Sequence, residues 1–362
     1  MKKILFLISA IKRDGPNRVL ESMIYGIDKT KYKIFVLSFL NNNDQSSLEK
    51  IEKMGATIIK LDLNNKLEII IKGRKKLNKI INNIKPDIVH SHGVLPDIIN
   101  AKSESEKKIT TLHNNMFEDY IYSFGKLKGR LIILWHLFQL KKFDKCVCCS
   151  KSIYDVMKKK ISNCDYIQNS IYRNNDIEEY GKIRERIREE YKILKDDIVY
   201  IYVGVLSNRK NVIGLVNSFN KTLKKNQYLL IIGDGPLRNE LDGLIKNNNI
   251  ILCGFKKNAY DYLCASDIYC SFSKSEGFSI SVLEALETSN LLLLSDIPSH
   301  KEIFDIDEKI YIGENFNKNN FNEKKEIIEC NFNKKNTSKE ILKLYLNCKN
   351  MMESYSKIYK EV

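Results

Sequence analysis

Short β-branched runs alternate with helix-length segments along most of this chain, and the alternation comes in two series. In the first, the runs fall at 4–9 (ILFLIS), 33–39 (KIFVLSF), 57–62 (TIIKLD), 87–92 (DIVHSH), 108–113 (KITTLH) and 145–149 (KCVCC). The stretches between them repeat apolar residues near every 3.6 positions, as in 67–84, which ends at Lys85-Pro86. Strands alternating with helices build a parallel sheet covered on both faces. The rhythm falters after DYIQNS (165–170), where an Asn-rich, charged passage leads into IEEYGKIRERIREEYKIL; this is the candidate linker. It restarts at 199–205 (VYIYVGV), 228–233 (YLLIIG), 249–255 (NIILCGF), 267–272 (DIYCSF), 291–297 (LLLLSDI) and 309–314 (KIYIGE). The expected class is therefore α/β, two doubly wound Rossmann-like domains in series, with boundaries at 1–172, 173–340 and a C-terminal helical tail 341–362. The last helical pattern runs over about 338–360, and the Asn/Lys-rich patch 315–336 reads as a surface insertion.

Charge narrows the partners. Residues 1–175 hold 32 basic and 17 acidic side chains, whereas 176–362 hold 28 of each, so the formal charge of +15 lies wholly in the first half. Such asymmetry suits an acidic surface such as nucleic acid or anionic lipid headgroups, or reflects a composition rich in Lys, Asn and Ile. LKGRLIILWHLFQLKK (127–142) has a bulky apolar centre and basic ends, as an interfacial helix or a core stripe does. No apolar run approaches the roughly 18 residues of a spanning helix. The opening MKKILFLISAIKRDG reads as a first strand rather than a secretory signal, since charges follow at once. Of nine cysteines, Cys146, Cys148 and Cys149 cluster inside an apolar run, and reduced structural thiols are expected.

In doubly wound sheets ligands bind beyond the carboxyl ends of the strands, so the residues just after each strand are the candidates. In SFSKSEGFSISVLEALE (271–287) a helix opens near Ser279, with Glu276 in the turn before it and Glu284 two turns in. Eight residues at about 1.5 Å rise separate the two by about 12 Å. That exceeds the roughly 5 to 9.5 Å of a glycosidase pair, so they would grip two parts of one long ligand or be an ordinary acidic helix start. Backbone N–H groups of Gly277, Phe278 and Ser279 at the positive helix end suit a diphosphate. Arg209 and Lys210 in VGVLSNRKN are placed at the start of the next helix, where cations oppose the dipole; a bound anion would explain them, as would a solvated basic turn. GDGPLRNE (233–240) places Pro236 at a helix start. RDGPNR puts Gly15 and Pro16 after the first strand, short of a full dinucleotide fingerprint. Among five histidines, His113 and His92 end strands, His90 has no evident role, and His136 lies in an apolar helix.

On these residues the chain resembles the family-4 retaining glycosyltransferases of the GT-B fold, the group that builds bacterial surface polysaccharides and glycolipids. The resemblance covers nearly the whole length. It rests on Glu276 and Glu284 within EGFSISVLEAL, matching the family's E-x7-E element, and on GDGPLRNEL, ILCGF, ASDIYCSFSKSEGF and LLLLSDIPSHKEI in order and spacing. It implies two Rossmann-like domains facing across a cleft, the first for the acceptor and the second for a nucleotide sugar, with the C-terminal helix crossing back to the first. It further implies that Glu284 binds the donor ribose and Glu276 a hydroxyl of the transferred sugar. Lys210 and Arg209 would hold the diphosphate, with amides of Gly277, Phe278, Ser279 and Gly15. His113 would contact the sugar near the reacting carbon, and Phe255 and Lys256 would line the base pocket. The sequence departs from the family where a phosphate-binding Gly-Arg reads Gly204-Val205, where Asn-Gly reads Asn169-Ser170, and where a glycine pair reads Asp14-Gly15.

The resemblance implies front-face displacement with retention, the leaving diphosphate helping to take the acceptor proton, and no metal or other cofactor. It implies a UDP- or GDP-linked sugar as donor and a lipid-linked or other glycan as acceptor. The enzyme would be cytoplasmic, with its basic N-terminal domain peripherally attached to the anionic inner-membrane surface. A nucleotide-sugar 2-epimerase or a phosphorylase on the same fold is the alternative enzyme. A nucleic-acid-binding module is the alternative of another class; it leaves the acidic pair around a helix start unexplained, and no nucleic-acid partner is expected.

Overall fold

The computed structural model describes residues 1–172, 177–333 and 338–362. Two compact units account for it: residues 1–172 with 346–362, and residues 173–345.

The first unit is built on a seven-stranded sheet: β1 (Lys2–Ile8), β2 (Tyr32–Leu40), β3 (Thr57–Leu63), β4 (Ile88–His92), β5 (Lys108–Leu112), β6 (Lys145–Cys148) and β7 (Cys164–Tyr166). All pairings are parallel and the order is β3-β2-β1-β4-β5-β6-β7. Because crossovers are right-handed, reversing direction at β1 sends the early helices to one face and the later ones to the other. β1 lies at that reversal, and Ile4, Leu5, Phe6 and Leu7 are fully buried, which is why it reads as an unbroken apolar run.

The second unit repeats the plan with β8 (Ile198–Val203), β9 (Gln227–Ile232), β10 (Ile250–Gly254), β11 (Ile268–Ser271), β12 (Leu291–Ser295) and β13 (Gly313–Phe316), ordered β10-β9-β8-β11-β12-β13. Its core gathers Tyr200, Phe219, Leu229, Leu293, Phe316 and Phe321, with Tyr200 edge-on to Phe219 at 4.9 Å. Charge also fastens it. The helix Ile177–Glu190 is an integral part of this unit, since Arg184 and Arg188 each reach the fully buried Asp267 at 2.7 Å, on separate carboxylate oxygens. The expected linker falls partly on 173–176, outside the described residues.

Three expectations are corrected. The last strand, expected over 309–314, is shifted to Gly313–Phe316. Asp307 Oδ1 accepts from the Lys309 amide at 3.0 Å and its carbonyl from Ile310 N at 3.1 Å, so a turn consumes those residues and pairing begins at Gly313. The patch 315–336, whose residues 334–337 lie outside the described ones, is no insertion: it supplies Phe316, Phe321 and Ile328 to the core. The terminal pattern is two helices, Ser338–Leu344 and Cys348–Glu361. Asn347 is extended and its side chain accepts from Asn350 N at 2.9 Å, so it caps a new helix rather than continuing the old one.

That last helix belongs to the first unit. Met351, Met352, Tyr355, Ile358 and Tyr359 form its buried stripe. A Cβ on Gly26 would lie 2.4 Å from the Cys348 carbonyl oxygen, so only glycine lets the helix Gly15–Gly26 approach this closely. Tyr359 OH meets His90 Nδ1 and Tyr355 OH meets Thr111 Oγ1, both at 2.8 Å, bonding the tail to β4 and β5 through the core. Tyr359→Phe orphans a buried imidazole nitrogen and is expected to cost about 1–3 kcal/mol. A lower urea midpoint at unchanged slope is the expected result; an unchanged midpoint would contradict it.

Candidate functional site

In the second unit the strand order reverses at β8 and β11, and the segments leaving their carboxyl ends meet there. After β8 the chain runs through Gly204 to Arg209 and Lys210. Asn211, in the left-handed region at φ 52°, then turns it into the helix Val212–Thr222. Arg209 and Lys210 thus precede the helix instead of starting it, contrary to the expectation from sequence. After β11 the chain reaches Ser273, Ser275 and Glu276 before the helix Ile280–Glu287, whose N-cap is Ser279. Lys274 N donates to the Arg209 carbonyl at 2.9 Å, tying the two segments together. Gly233, after β9, sits at φ +141°, where a Cβ would come within 1.9 Å of the Gly204 carbonyl oxygen. Glycine there lets the ends of β8 and β9 run side by side.

Glu276 is the centre of this arrangement. Its side chain is only 6% exposed and pairs with Lys210 Nζ and, at 3.3 Å, with Arg209 Nη1. Arg209 Nη1 also donates to the Ser275 carbonyl at 2.8 Å, and Ser273 Oγ donates to Glu276 Oε1 at 2.6 Å. Burial pushes the carboxyl pKa up, but Lys210 and Arg209 outweigh it and hold it at about 2. The acidic turn and the basic turn, read from sequence as two clusters, are one ion cluster carrying a net positive charge.

Behind Glu276 lies a polar chain that sequence reasoning missed. Ser295 Oγ donates to the Ser273 carbonyl at 2.7 Å, and buried His300 donates from Nδ1 to the Ser295 carbonyl at 2.9 Å. Burial holds His300 neutral, its pKa near 4. Nothing periodic marks these residues; only their place after β12 points to them. Gly277, Phe278 and Ser279 follow Glu276, with Phe278 buried. Glu284 is half-buried about one turn into the helix, which starts at Ile280, later than its sequence placement two turns in implies. Phe255 and Lys256 follow β10, with Phe255 64% exposed and Lys256 Nζ 5.3 Å from the Tyr262 ring centroid. Pro236 is not a helix start: Leu237 N donates to the Leu206 carbonyl and the helix is Arg238–Leu244.

Gly15 and His113 lie in the first unit. Gly15 opens the helix Gly15–Gly26, where the Asp14 carboxylate accepts from Asn17 N at 3.1 Å, so an acid already caps this helix end. His113 follows β5, half-buried, with Nε2 2.9 Å from His92 Nδ1. Burial lowers its pKa to about 4. His136 is structural, held between Tyr120 OH at 2.7 Å and Asp97 Oδ2 at 3.0 Å.

The depressed Glu276 pKa makes the cluster stabilising above the ordinary value of 4.5, and this contribution is lost as pH falls toward about 2. Glu276→Gln is therefore expected to flatten the acid limb of stability against pH in urea titrations; a limb of unchanged steepness would count against the pairing.

Comparison with known proteins follows the same division of the chain. Residues 14–171 match the model of glycosyltransferase family 4, and residues 183–349 that of glycosyl transferases group 1. An uncharacterized glycosyltransferase of Methanocaldococcus jannaschii is 30% identical over 247 residues, 63% of this chain, and the chain spans about 60% of that relative's length. The O-antigen biosynthesis glycosyltransferase WclY of Escherichia coli is 27% identical over 318 residues, 84% of this chain and 82% of the relative. A Campylobacter jejuni N-acetylgalactosaminyltransferase named for a diphospho-undecaprenol substrate is 32% identical over 172 residues, 46% of this chain and 44% of the relative. The crystal structure of Anabaena HepE in complex with UDP-glucose shares the fold at a TM-score of 0.80, with 14% identity and full coverage of both chains.

Proposed function

Because this chain is a family-4 glycosyltransferase of the GT-B fold, we propose that it transfers a hexose, with retention, from a UDP- or GDP-linked sugar to a lipid-linked glycan in bacterial surface-polysaccharide synthesis. The observation that carries this reading is the buried Glu276 carboxylate held by Lys210 and Arg209 where the second sheet reverses its strand order. A cluster of two cations and one acid has charge to spare for a dianionic leaving group. The names of the Escherichia coli and Campylobacter jejuni relatives support the polysaccharide setting and the lipid-linked acceptor.

In this reading Lys210 and Arg209 turn to the diphosphate, and Glu276, released from them, accepts from a sugar hydroxyl. The two cations and the amides of Gly277, Phe278 and Ser279 stabilise charge growing on the leaving phosphate, each donor contributing about 3 kcal/mol in a dry site. Glu284 holds the ribose, Phe255 and Lys256 the base, Gly15 a phosphate oxygen, and His113 the sugar near the reacting carbon. The acceptor oxygen attacks the face from which the phosphate leaves, and the departing phosphate takes its proton. The cations replace a metal ion in this scheme.

A thermal-shift screen of UDP- and GDP-linked sugars identifies the donor, because a ligand bound only by the folded state raises the melting temperature. With that donor, and EDTA present throughout, wild-type turnover is expected to persist. Lys210→Ala is expected to lower kcat by about tenfold or more, and Glu284→Ala to weaken nucleotide binding in calorimetry. Unchanged kinetics in both variants, or abolition by EDTA, would overturn the site assignment.

Peripheral attachment to the cytoplasmic membrane face belongs to the same proposal. Among the described residues no helix is long and apolar enough to cross a membrane. The helix Lys126–Leu140 instead leaves Leu127, Leu131, Leu134 and Phe138 exposed at 61–76%. Exposed Lys126, Lys128, Arg130, Lys141 and Lys142 flank that stripe. Co-sedimentation is expected with phosphatidylglycerol vesicles and not with phosphatidylcholine vesicles, weakened by salt and lost in Leu131→Asp. Equal pelleting with both lipids, or preferential binding of duplex DNA, would refute it.

A further inference from the structure

Three histidines of the first unit stand in a column. His90 and His92 project from the same face of β4, and their rings stack at 4.7 Å; His92 and His113 stack at 5.1 Å. Their hydrogen bonding differs. His90 has both nitrogens occupied, Nδ1 by Tyr359 OH and Nε2 by Thr111 Oγ1, each at 2.8 Å. His92 is only 2% exposed, with Nδ1 facing His113 Nε2 at 2.9 Å and Nε2 buried without a partner. No hydrogen bond to His113 Nδ1 occurs among the described residues, and that ring is half-buried.

One proton lies between His92 Nδ1 and His113 Nε2, and its owner sets both tautomers. Burial keeps both imidazoles uncharged, reinforced at His92 by the His90 and His113 rings and only partly opposed at His113 by Asp97, so each carries a single proton. If His113 donated, His92 would carry its own proton on Nε2, a buried N–H with no acceptor. If His92 donates, its Nε2 is a bare lone pair, and His113 must carry its proton on Nδ1. Orphaned buried donors are the rarer defect in folded proteins, which favours the second arrangement.

We propose that His92 is a positioning residue: its Nδ1–H donates to His113 Nε2 and locks His113 as a neutral imidazole whose Nδ1–H is offered to an oxygen of the donor sugar. This rests on the reading that His113 meets that sugar. It makes His113 a fixed hydrogen-bond donor rather than an acid or base, with the preorganisation set by the residue that ends β4.

The test is a multiple-bond 15N–1H spectrum of the ligand-free full chain labelled at histidine, assigned by single substitutions. His113 and His92 are expected to show protonated Nδ1 and bare Nε2. His300, whose Nδ1 donates to a carbonyl, supplies the reference signal for that tautomer. In His92→Asn an amide N–H stands where Nδ1–H stood, and the His113 pattern is expected to persist. In His92→Leu the pattern should shift toward averaged tautomers. With UDP-glucose as probe, His92→Leu should lower kcat by about tenfold with KM changed less, and His92→Asn should restore it. A protonated Nε2 on His113 in the wild type, or His113 signals unmoved in folded His92→Leu, overturns the proposal. If His92→Leu does not fold, the wild-type and His92→Asn spectra decide it. No wild-type turnover of UDP-glucose would count against that sugar as donor, while the ligand-free spectrum still decides the role of His92.

Discussion

A carboxylate taken out of water is tolerated only where positive charge and hydrogen-bond donors replace its hydration, and Glu276 meets that condition from two directions. Lys210 and Arg209 come from the segment after β8, and Ser273 comes from the segment after β11 that carries Glu276 itself. The Lys274 amide bound to the Arg209 carbonyl fixes the spacing. Removing Glu276 leaves two cations without their shared counter-ion, so these segments hold one another in place through a single carboxylate without a regular element running through them. The cluster sets two cations against one buried acid, leaving a net positive charge at the carboxyl end of the sheet.

The first unit solves a different problem with neutral groups. Its tail helix is joined to the sheet by tyrosine hydroxyls that meet His90 and Thr111 in the interior. Beyond His90 come His92 and then half-buried His113, so the packing of the tail and the orientation of a surface imidazole share one stack of rings. Burial keeps His90 and His113 neutral, with pKa values near 3 and 4, so at neutral pH their hydrogen bonds depend on tautomer and not on charge. The two units thus place opposite chemistry at the carboxyl ends of similar sheets: paired charge in one, neutral donors and acceptors in the other.

Much of this was legible in the chain before any coordinates. Apolar runs such as 4–9 and 291–297 are strands because burial on both faces leaves no polar positions to interrupt them, and the E-x7-E element lies where the helix Ile280–Glu287 opens. Boundaries failed where a short polar side chain competed with periodicity. Asp307 turned the first part of the run at 309–314 into a loop and moved the strand to Gly313–Phe316, and Asn347 cut one expected helix into two. Composition misled at 315–336, where scattered Phe316, Phe321 and Ile328 among Asn and Lys are core residues.

The alternation of strands and helices, the two-unit plan and the candidate side chains followed from the sequence alone, because hydrophobic period and turn chemistry are local properties that each segment carries with it. Only the tertiary structure decided that Glu276 is the counter-ion of Lys210 and Arg209, that His300 and Ser295 stand behind it, and that His92 faces His113. Those pairings join residues far apart in the chain, and the register of parallel strands, set by packing across the whole sheet, determines which of them come within hydrogen-bonding distance.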